Sequence, residues 1–402
     1  MSELHLAVAL DGAGWHPAAW REPNARPADL FSAPYWVDLA QQAEAGLLDF
    51  LTIEDSFGLQ SRHFGPLEHR TDQVRGRLDA VLIAARVAPK TNNIGLVPTA
   101  LATHTEPFHI SKAIATLDYV STGRAGVRVQ VSARADENAH FGRRDIPALE
   151  ITDLDSPPVV ALIDELFGEA TDYVEVVRRL WDSWEDDAEI RDVATGRFID
   201  RDKIHYIDFA GEYLSVKGPS IVPRPPQGQP LVTALAHATV PYRFAATSSD
   251  IVYVTPTDAV SAADIVAEVR REQQAAGRGG ETVHIFGDIV VFLDTPTESG
   301  AARLSRLNDA DGAAYSSDAL IFTGSADELA NLLAQWQPAG LTGYRLRPGA
   351  LPDDLAGITD QLVPELQARG LFRKNYQAST LRGLLGLPRP ANRYAITEGA
   401  QA

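Results

Sequence analysis

The sequence predicts a (β/α)₈ barrel, also called a TIM barrel, with an insertion between its fourth and fifth strands. Eight short runs rich in Val, Ile and Leu alternate with segments of helical periodicity along the 402 residues. A parallel strand pair needs a crossover long enough to hold a helix, and eight such units close naturally into a barrel. The alternation stops over about residues 133–229 and then resumes, which predicts a single domain over residues 1–402 that carries one insertion.

Four strands are predicted before the insertion. Each run is too short for a buried helix, and its branched residues favour a strand that is covered on both faces. The strands are residues 4–10, 49–54, 94–98 and 125–131, with helical patterns near 35–45, 77–88 and 108–120 between them. Gly46 and Pro89 follow the first two helical patterns, and both residue types commonly end helices.

The insertion begins irregularly and ends in a stiff connector. It contains a strongly helical stretch at 170–184, a predicted hairpin at 208–216 and a Pro-rich segment at 223–228. Strand and helix patterns then alternate again. The strands are predicted at residues 230–235, 251–254, 284–293 and 343–346, and helices lie between them, such as 259–276 and 326–337.

An open doubly wound sheet is the alternative that the same alternation allows. No G-x-G-x-x-G motif follows the first predicted strand, which weakens the dinucleotide-binding version of that fold. Eight βα units close more naturally as a barrel than they spread as an open sheet. The barrel is therefore the favoured architecture.

Composition and charge exclude several functions. The chain has 36 Lys and Arg against 54 Asp and Glu, a net charge of −18, which disfavours nucleic-acid binding and binding to an anionic membrane surface. It has no Cys, which excludes disulfides and thiolate chemistry. The N-terminus lacks a secretory signal pattern, and no apolar run approaches the roughly 20 residues of a membrane span. We therefore expect a cytoplasmic protein.

Metal and hydrolase motifs are not found in the sequence. His104 and His109 are five positions apart, which is not the i,i+4 spacing of a helical metal site. His63 also has no ligand at suitable spacing. There is neither a G-x-S-x-G elbow nor a P-loop. No metal site is predicted.

Candidate functional residues follow the predicted strands, because barrel enzymes carry their chemistry at the carboxyl ends of the strands. Trp15 and His16 follow the first strand and, together with His63, are predicted to line a substrate pocket for a flat ligand. The alternative is that Trp15 and Trp20, on the same loop, only cover an edge of the core. The adjacent acids Glu54 and Asp55 follow the second strand and either bind a polar ligand or cap the next helix. His104 follows the third strand as a proton donor or as a wall residue.

Ordered segments along nearly the whole chain resemble one enzyme family. They include GWHPAAWREP at 14–23, IEDS at 53–56, IGLVPTA at 94–100, HTEPFHISKAIATLDYVSTGRAG at 104–126, DYVEVVRRLWDSWEDDA at 172–188, FAGEYLSVKGP at 209–219 and PELQARGLFRKNYQASTLRGLLGLPRPANRY at 364–394. The chain resembles the bacterial luciferase-like flavin-dependent monooxygenases, in the branch of nitrilotriacetate and dibenzothiophene sulfone monooxygenases.

This resemblance implies a two-component enzyme. A separate flavin reductase would supply reduced FMN, and the barrel would use it with O₂ to oxygenate a small organic substrate. A homo-oligomer, either a dimer or a tetramer, is also implied. In such enzymes the cofactor supplies the reactivity, while the protein orients the reactants and excludes water.

The resemblance also implies cofactor-binding positions. Asp55 stands at the expected aspartate after the second strand, and Thr103 is what survives of a run of small hydroxyl residues. Arg128 occupies the position of an amide donor to the flavin. His237 and Ala238 lie in the loop expected to hold the FMN phosphate. Here Ala238 replaces a serine and Pro241 a glycine, so a hydroxyl and a backbone N–H are missing, with His237 or Arg128 as cationic substitutes.

These departures leave three hypotheses. The first is an FMN-dependent monooxygenase that binds the FMN phosphate with different residues from those usual in the family. The second is an oxidoreductase that uses a deazaflavin, whose longer anionic tail would suit Arg128. The third is a barrel that has lost flavin binding and acts as a flavin-independent enzyme or a ligand-binding protein.

Overall fold

Eight parallel strands close into a barrel in the computed structural model, which describes residues 3–60, 69–148 and 156–395. The strands of the chain are β1 His5–Leu10, β2 Phe50–Ile53, β3 Gly95–Leu101, β4 Gly126–Gln130, β5 Glu189–Asp192, β6 Arg197–Ile199, β7 Phe209–Ala210, β8 Ser215–Val216, β9 Leu231–Leu235, β10 Ile251–Val254, β11 His284–Leu293, β12 Leu320–Gly324 and β13 Gly343–Pro348. The barrel order is β1-β2-β3-β4-β9-β10-β11-β13, and β13 pairs with β1 to close it. The predicted barrel is confirmed, and its eight strands are the predicted ones.

Helices surround the barrel. They are α1 Ala33–Ala45, α2 Ala80–Val87, α3 Pro107–Val120, α4 Ala135–Ala139, α5 Pro157–Asp182, α6 Thr239–Ser248, α7 Ala259–Ala275, α8 Gly300–Asp311, α9 Ala326–Trp336, α10 Asp353–Gly357, α11 Val363–Ala368 and α12 Leu381–Leu384. Local sequence sets several of their starts. Asp258 and Ser325 each accept a hydrogen bond from the third residue of their helix and form capping boxes with it.

The insertion between β4 and β9 is more ordered than the sequence pattern indicates. Its helix α5 begins at Pro157, well before the predicted start at 170, and proline suits a first helical turn. The Trp181 indole donates to the Ser111 carbonyl (2.9 Å) and ties α5 to α3. The predicted hairpin is present as β7 and β8, and an unpredicted hairpin of β5 and β6 precedes it. That the whole chain forms one domain stays a prediction.

One strand of the large sheet was not predicted. Strand β12 pairs with the last half of the ten-residue strand β11, beyond the part of β11 that pairs with β10. Each residue of β12 is partly exposed, so this strand lies outside the barrel. Its five residues lack the continuous burial that makes the other strands recognisable in sequence.

The barrel interior is apolar at its amino-terminal end. Alternate strand residues point inward there, and helix α12 covers the opening with Leu381. The inward apolar side chains include Phe50, Val97, Leu231, Ile251 and Phe286, all fully buried. Residues of the opposite strand faces, such as Leu51 and Leu96, join the helices in the larger core.

A cluster of charged side chains fills the next part of the interior. We call Glu54, Arg128, Asp288, Arg345 and Arg347 the barrel ion cluster. Asp288 accepts hydrogen bonds from Nε of Arg345 and from Nε of Arg347, both at 2.9 Å. Glu54 accepts from Arg128 (2.9 Å) and from Arg345 (3.3 Å). Ions taken out of water cost several kcal/mol each, so each of these charges depends on its partners.

Asp288→Asn tests this dependence. The variant leaves Arg345 and Arg347 buried without their shared carboxylate, so the free energy of unfolding should fall by about 3–5 kcal/mol, measured by chemical denaturation. Asp38→Asn is the control, because the Arg26–Asp38 pair (2.7 Å) is largely exposed and should change stability by less than about 1 kcal/mol. Equal losses in the two variants would contradict the proposed role of the cluster.

Candidate active site

A cleft of about 400 Å³ opens at the carboxyl ends of the barrel strands. Its walls come from the loops after β1, β2 and β4 and from the loop before β12. Barrel enzymes place their active sites on this face, and a cavity of this size accommodates a small organic ligand. The cleft is therefore the candidate active site.

Trp15 and His16 both line this cleft, and their contact with a substrate stays a prediction. The Trp15 indole donates to the Ala9 carbonyl (3.2 Å), and the Arg347 guanidinium lies over its ring at 4.6 Å. A side chain at Gly14, which precedes it at φ +126°, would lie 2.5 Å from the Gly349 carbonyl oxygen. Glycine there lets the loop approach the backbone after β13. Trp15 is therefore held in place by Arg347 of the barrel ion cluster and by the hydrogen bond to Ala9.

His16 is held by the protein through both ring nitrogens. Nδ1 accepts from the Ala18 backbone N–H (3.1 Å), so Nε2 carries the proton and donates to Asn308 Oδ1 (3.1 Å). The same oxygen accepts from the Tyr315 backbone N–H (2.8 Å). His16 therefore connects the loop after β1, through Asn308 of α8, to the loop before β12, and these two loops form one wall of the cleft.

Asp55 lines the cleft and also accepts a hydrogen bond at the start of a helix, while its binding of a polar ligand stays a prediction. Its carboxylate accepts from the backbone N–H of Ser56 (2.8 Å) and of Ala80 (2.9 Å), the first residue of α2. Burial raises the pKa of Asp55 to about 6, and these two hydrogen bonds oppose that shift. The proton occupancy of this wall residue therefore changes close to neutral pH.

An ion pair that the sequence analysis missed lies beside Asp55. Arg77 donates to both carboxylate oxygens of Asp11, from Nε (3.0 Å) and from Nη2 (2.7 Å), and both residues line the cleft. Asp11 directly follows the first strand, so its position at a strand end was the available signal. Arg77 gave none, because it stands in a polar loop before α2.

Glu54 and Gln130 form the floor of the cleft, and only Gln130 was not selected from the sequence. Arg128 lies beneath them and is not a lining residue. From Nη1 it donates to Glu54, to Gln130 and to Thr99, each at 2.9 Å. The position that the family resemblance gives to an amide donor is thus filled by an arginine directed into the barrel interior.

Thr103 and His104 lie beside the cleft and do not line it. Thr103 Oγ1 accepts from the Ser132 backbone N–H (2.9 Å) and joins the ends of β3 and β4. His104 is 5% exposed, and its ring stacks on Phe141 with 4.9 Å between ring centres. Burial lowers the pKa of His104 to about 4, with Arg144 and His140 adding to the shift. His104 is therefore neutral at physiological pH.

His237 and Ala238 lie at another edge of the same barrel face, after β9, and do not line the cleft. Ala238 is the N-cap of α6 with extended backbone (φ −156°, ψ 168°), and no side chain caps the helix. Thr239 Oγ1 donates to Glu268 Oε1 (2.7 Å). Pro241 lacks an N–H, so Thr239 and Val240 keep the backbone donors of the first turn.

The remaining predicted pocket residue, His63, lies outside the described residues.

Metal ligation and membrane crossing find no support in the part of the chain that the structure describes. Within residues 3–60, 69–148 and 156–395, no three or more His, Asp or Glu side chains group as metal ligands would. In the same ranges, no helix combines the length and the apolar character needed to cross a bilayer.

Comparison with known proteins identifies the family. The sequence model of the luciferase-like monooxygenases matches residues 13–340. This chain is 30% identical to the N-acetyl-S-(2-succino)cysteine monooxygenase of Bacillus subtilis (strain 168), over 98% of each chain. It is 27% identical to the nitrilotriacetate monooxygenase component A of Aminobacter aminovorans, again over 98% of each. The structure of a riboflavin lyase superimposes with a TM-score of 0.82 at 23% identity, covering 98% of each chain.

The chain belongs to the luciferase-like monooxygenase family. It is a flavin-dependent enzyme of the monooxygenase class, as its resemblance to that family indicates. The cleft of this luciferase-like monooxygenase fits a flavin ring in its chemistry. The Trp15 ring offers an aromatic wall, and Gln130 offers an amide on the floor. The uncapped first turn of α6 offers backbone donors to a phosphate.

The titration of Asp55 can be measured through stability. Because its folded-state pKa of about 6 lies above the ordinary value of 3.8, the folded state holds an extra proton between these values. Stability therefore falls as pH rises through this window, and the loss is complete above it. Asp55→Asn removes the titration, so the Tm of the variant minus that of the wild type should increase from about pH 4.5 to about pH 7.5. Parallel Tm profiles over this range would refute a raised pKa.

Proposed function

We propose that this chain is the oxygenase component of a two-component system. It uses reduced FMN, delivered by a separate flavin reductase, together with O₂ to oxygenate a small organic substrate. The observation that carries the proposal is the cleft at the carboxyl ends of the barrel strands, in a chain of the luciferase-like monooxygenase family. When bound, the reduced flavin supplies the electrons and the reactivity toward O₂.

Residues at two places would hold the cofactor. Trp15, Asp55 and Gln130 line the cleft and would contact the flavin ring. The backbone N–H groups of Thr239 and Val240, at the positive end of the α6 dipole, would bind the phosphate. The exposed His237 beside them would add a cation when protonated. This arrangement replaces the hydroxyl and the N–H that Ala238 and Pro241 lack.

The wall of the cleft would exclude water from the reaction. The loop before β12 is fastened to the barrel by Asp318, which accepts from Arg347 Nη1 (2.6 Å), and it brings Tyr315 to the cleft. Arg347 also covers Trp15. One buried arginine therefore holds two sides of the cleft, and a fixed, dry wall protects a reactive cofactor.

The substrate class is proposed from chemistry that the relatives share. The names of the two similar enzymes describe action on a sulfur-containing amino-acid derivative and on a tricarboxylated amine. We infer a small organic substrate that contains a heteroatom and carboxylate groups. We also propose that the protein is cytoplasmic, that it forms a homodimer or homotetramer, and that the flavin reductase is its partner. The mass of the oligomer can be measured by light scattering.

A cofactor screen tests the proposed function. Purified protein is titrated with FMN, with reduced FMN under anaerobic conditions and with a deazaflavin, and binding is followed by fluorescence and by the shift in Tm. We expect FMN to bind and the deazaflavin not to raise the Tm. With a flavin reductase, NADH and ¹⁸O₂, one labelled oxygen atom should enter a product from a panel of thioethers and carboxylated amines. No binding of either FMN form up to about 1 mM would refute the proposal and favour a barrel without flavin.

His104 is proposed as a packing residue beside the cleft and not as a proton donor, since its lowered pKa keeps it neutral. His104→Gln should therefore leave kcat within about twofold of the wild type, once a substrate from the panel is in hand. Asp55→Ala is the comparison variant. Because Asp55 lines the cleft itself, this variant should bind FMN more weakly, whereas His104→Gln should bind FMN as the wild type does. A loss of kcat by about 100-fold in His104→Gln would assign His104 a catalytic proton transfer instead.

A further inference from the structure

We propose that Gln130 donates a hydrogen bond from its side-chain amide to a carbonyl oxygen of the flavin ring, and that Arg128 is the positioning residue that fixes this amide. The inference rests on the proposed function. It assigns a ligand contact to a residue at the end of β4 that lines the floor of the cleft. It also gives a role to an arginine that does not reach the cleft.

Strand geometry places the two side chains one above the other. Arg128 and Gln130 are two positions apart on β4, so both point into the barrel, whereas Val127 and Val129 point outward and join the core beneath the helices. Gln130 is the last residue of the strand and borders the cleft. Arg128 lies one layer deeper and is 5% exposed.

The contact between them fixes which end of the amide faces the cleft. Arg128 Nη1 lies 2.9 Å from Gln130 Oε1. A guanidinium group has donors only, so the amide must present its oxygen to Arg128 and its NH₂ group away from it. Among the described residues, no acceptor lies within hydrogen-bond distance of Gln130 Nε2, and this nitrogen is not sealed in the interior. Two N–H donors are therefore open to a ligand in the cleft.

The Arg128 side chain is itself held in one orientation by its other hydrogen bonds. Its Nη1 also donates to Glu54 Oε2 and to Thr99 Oγ1, both at 2.9 Å. Glu54 is held in turn by Arg345, which is bound to Asp288. The orientation of the Gln130 amide is therefore set before any ligand binds, and a donor fixed in advance loses little entropy on binding.

The Gln130 amide offers a donor beside two residues that offer acceptors, so a ligand that fits this part of the cleft must present an acceptor to Gln130. Glu54 and Asp55 present carboxylate oxygens, which accept hydrogen bonds when ionised. The Gln130 amide is a donor set beside them. A flavin ring carries carbonyl oxygens on its pyrimidine edge, and these match such a donor in chemistry. The same edge carries a ring N–H that suits a carboxylate.

Gln130→Glu tests the contact. The glutamate is isosteric and keeps an oxygen for Arg128, but it replaces the NH₂ donor by a second carboxylate oxygen. We expect the Kd for FMN, measured by fluorescence titration, to rise by at least about tenfold. The infrared carbonyl bands of bound flavin should move to higher frequency, because a hydrogen bond to the carbonyl lowers its stretching frequency.

A matched control comes from the same cleft. Gln73 also lines it, but its Nε2 donates to Asp311 Oδ1 (2.7 Å), so this amide has a partner within the protein. Gln73→Ala should change the Kd for FMN by less than about twofold and leave the carbonyl bands in place. An effect of Gln73→Ala as large as that of Gln130→Glu would overturn the assignment.

A double-mutant cycle tests the positioning role of Arg128. Arg128→Lys keeps the positive charge that Glu54 needs but replaces the planar guanidinium by an ammonium on a flexible stem, which fixes the Gln130 oxygen less strictly. If Arg128 acts through Gln130, this variant should weaken FMN binding by about fivefold in the wild-type background and by less than about twofold in a Gln130→Ala background. Equal losses in both backgrounds would show a merely structural role and overturn the positioning claim.

Failure of the two proposals can be told apart. If wild-type protein binds neither FMN form, the proposed cofactor is wrong. If the wild type binds FMN and Gln130→Glu binds it equally well with unchanged carbonyl bands, the proposed function stands and the Gln130 contact is refuted. Far-ultraviolet circular dichroism and the Tm of each variant establish that the variants compared are folded.

Discussion

The shared carboxylate of Asp288 is the interaction on which the barrel and its cleft both depend. It lies on β11 and accepts hydrogen bonds from two arginines of β13, with Arg345 fully buried. Such charges are tolerated inside a protein only when each has a partner. Arg345 then reaches Glu54 after β2, and Glu54 reaches Arg128 on β4. One chain of ion pairs thus connects strands on opposite sides of the barrel.

The cleft takes its shape from the upper end of this chain. Arg347 packs against the face of the Trp15 ring and binds Asp318, so the aromatic wall and the loop before β12 are fastened to the same buried charge. On the other side, Arg128 orients Gln130 at the floor. The net charge of −18 therefore coexists with three buried arginines directly beneath the site.

The sequence predicted the barrel well because every strand is a short apolar run bounded by helical periodicity. Strand β12 was missed since its residues are only half-buried, and the hairpin of β5 and β6 was missed because its residues are mostly exposed. At the site, Trp15, His16 and Asp55 follow strands and line the cleft. His237 and Ala238 follow a strand too, yet they border a different edge of the barrel face. Strand order in sequence does not state which strand ends share a cavity.

By itself, the sequence determined the eight-stranded barrel, the position of its insertion and the family, because periodicity and ordered motifs are local properties of the chain. Only the tertiary structure decided what the polar residues do. Arg128 could be read as a cofactor ligand until its partners Glu54, Thr99 and Gln130, which come from three different strands or strand ends, were seen around it. Asp55 likewise became a group with a pKa of about 6 only through its burial. Such roles depend on contacts between residues far apart in the chain, and those contacts exist only after the barrel closes.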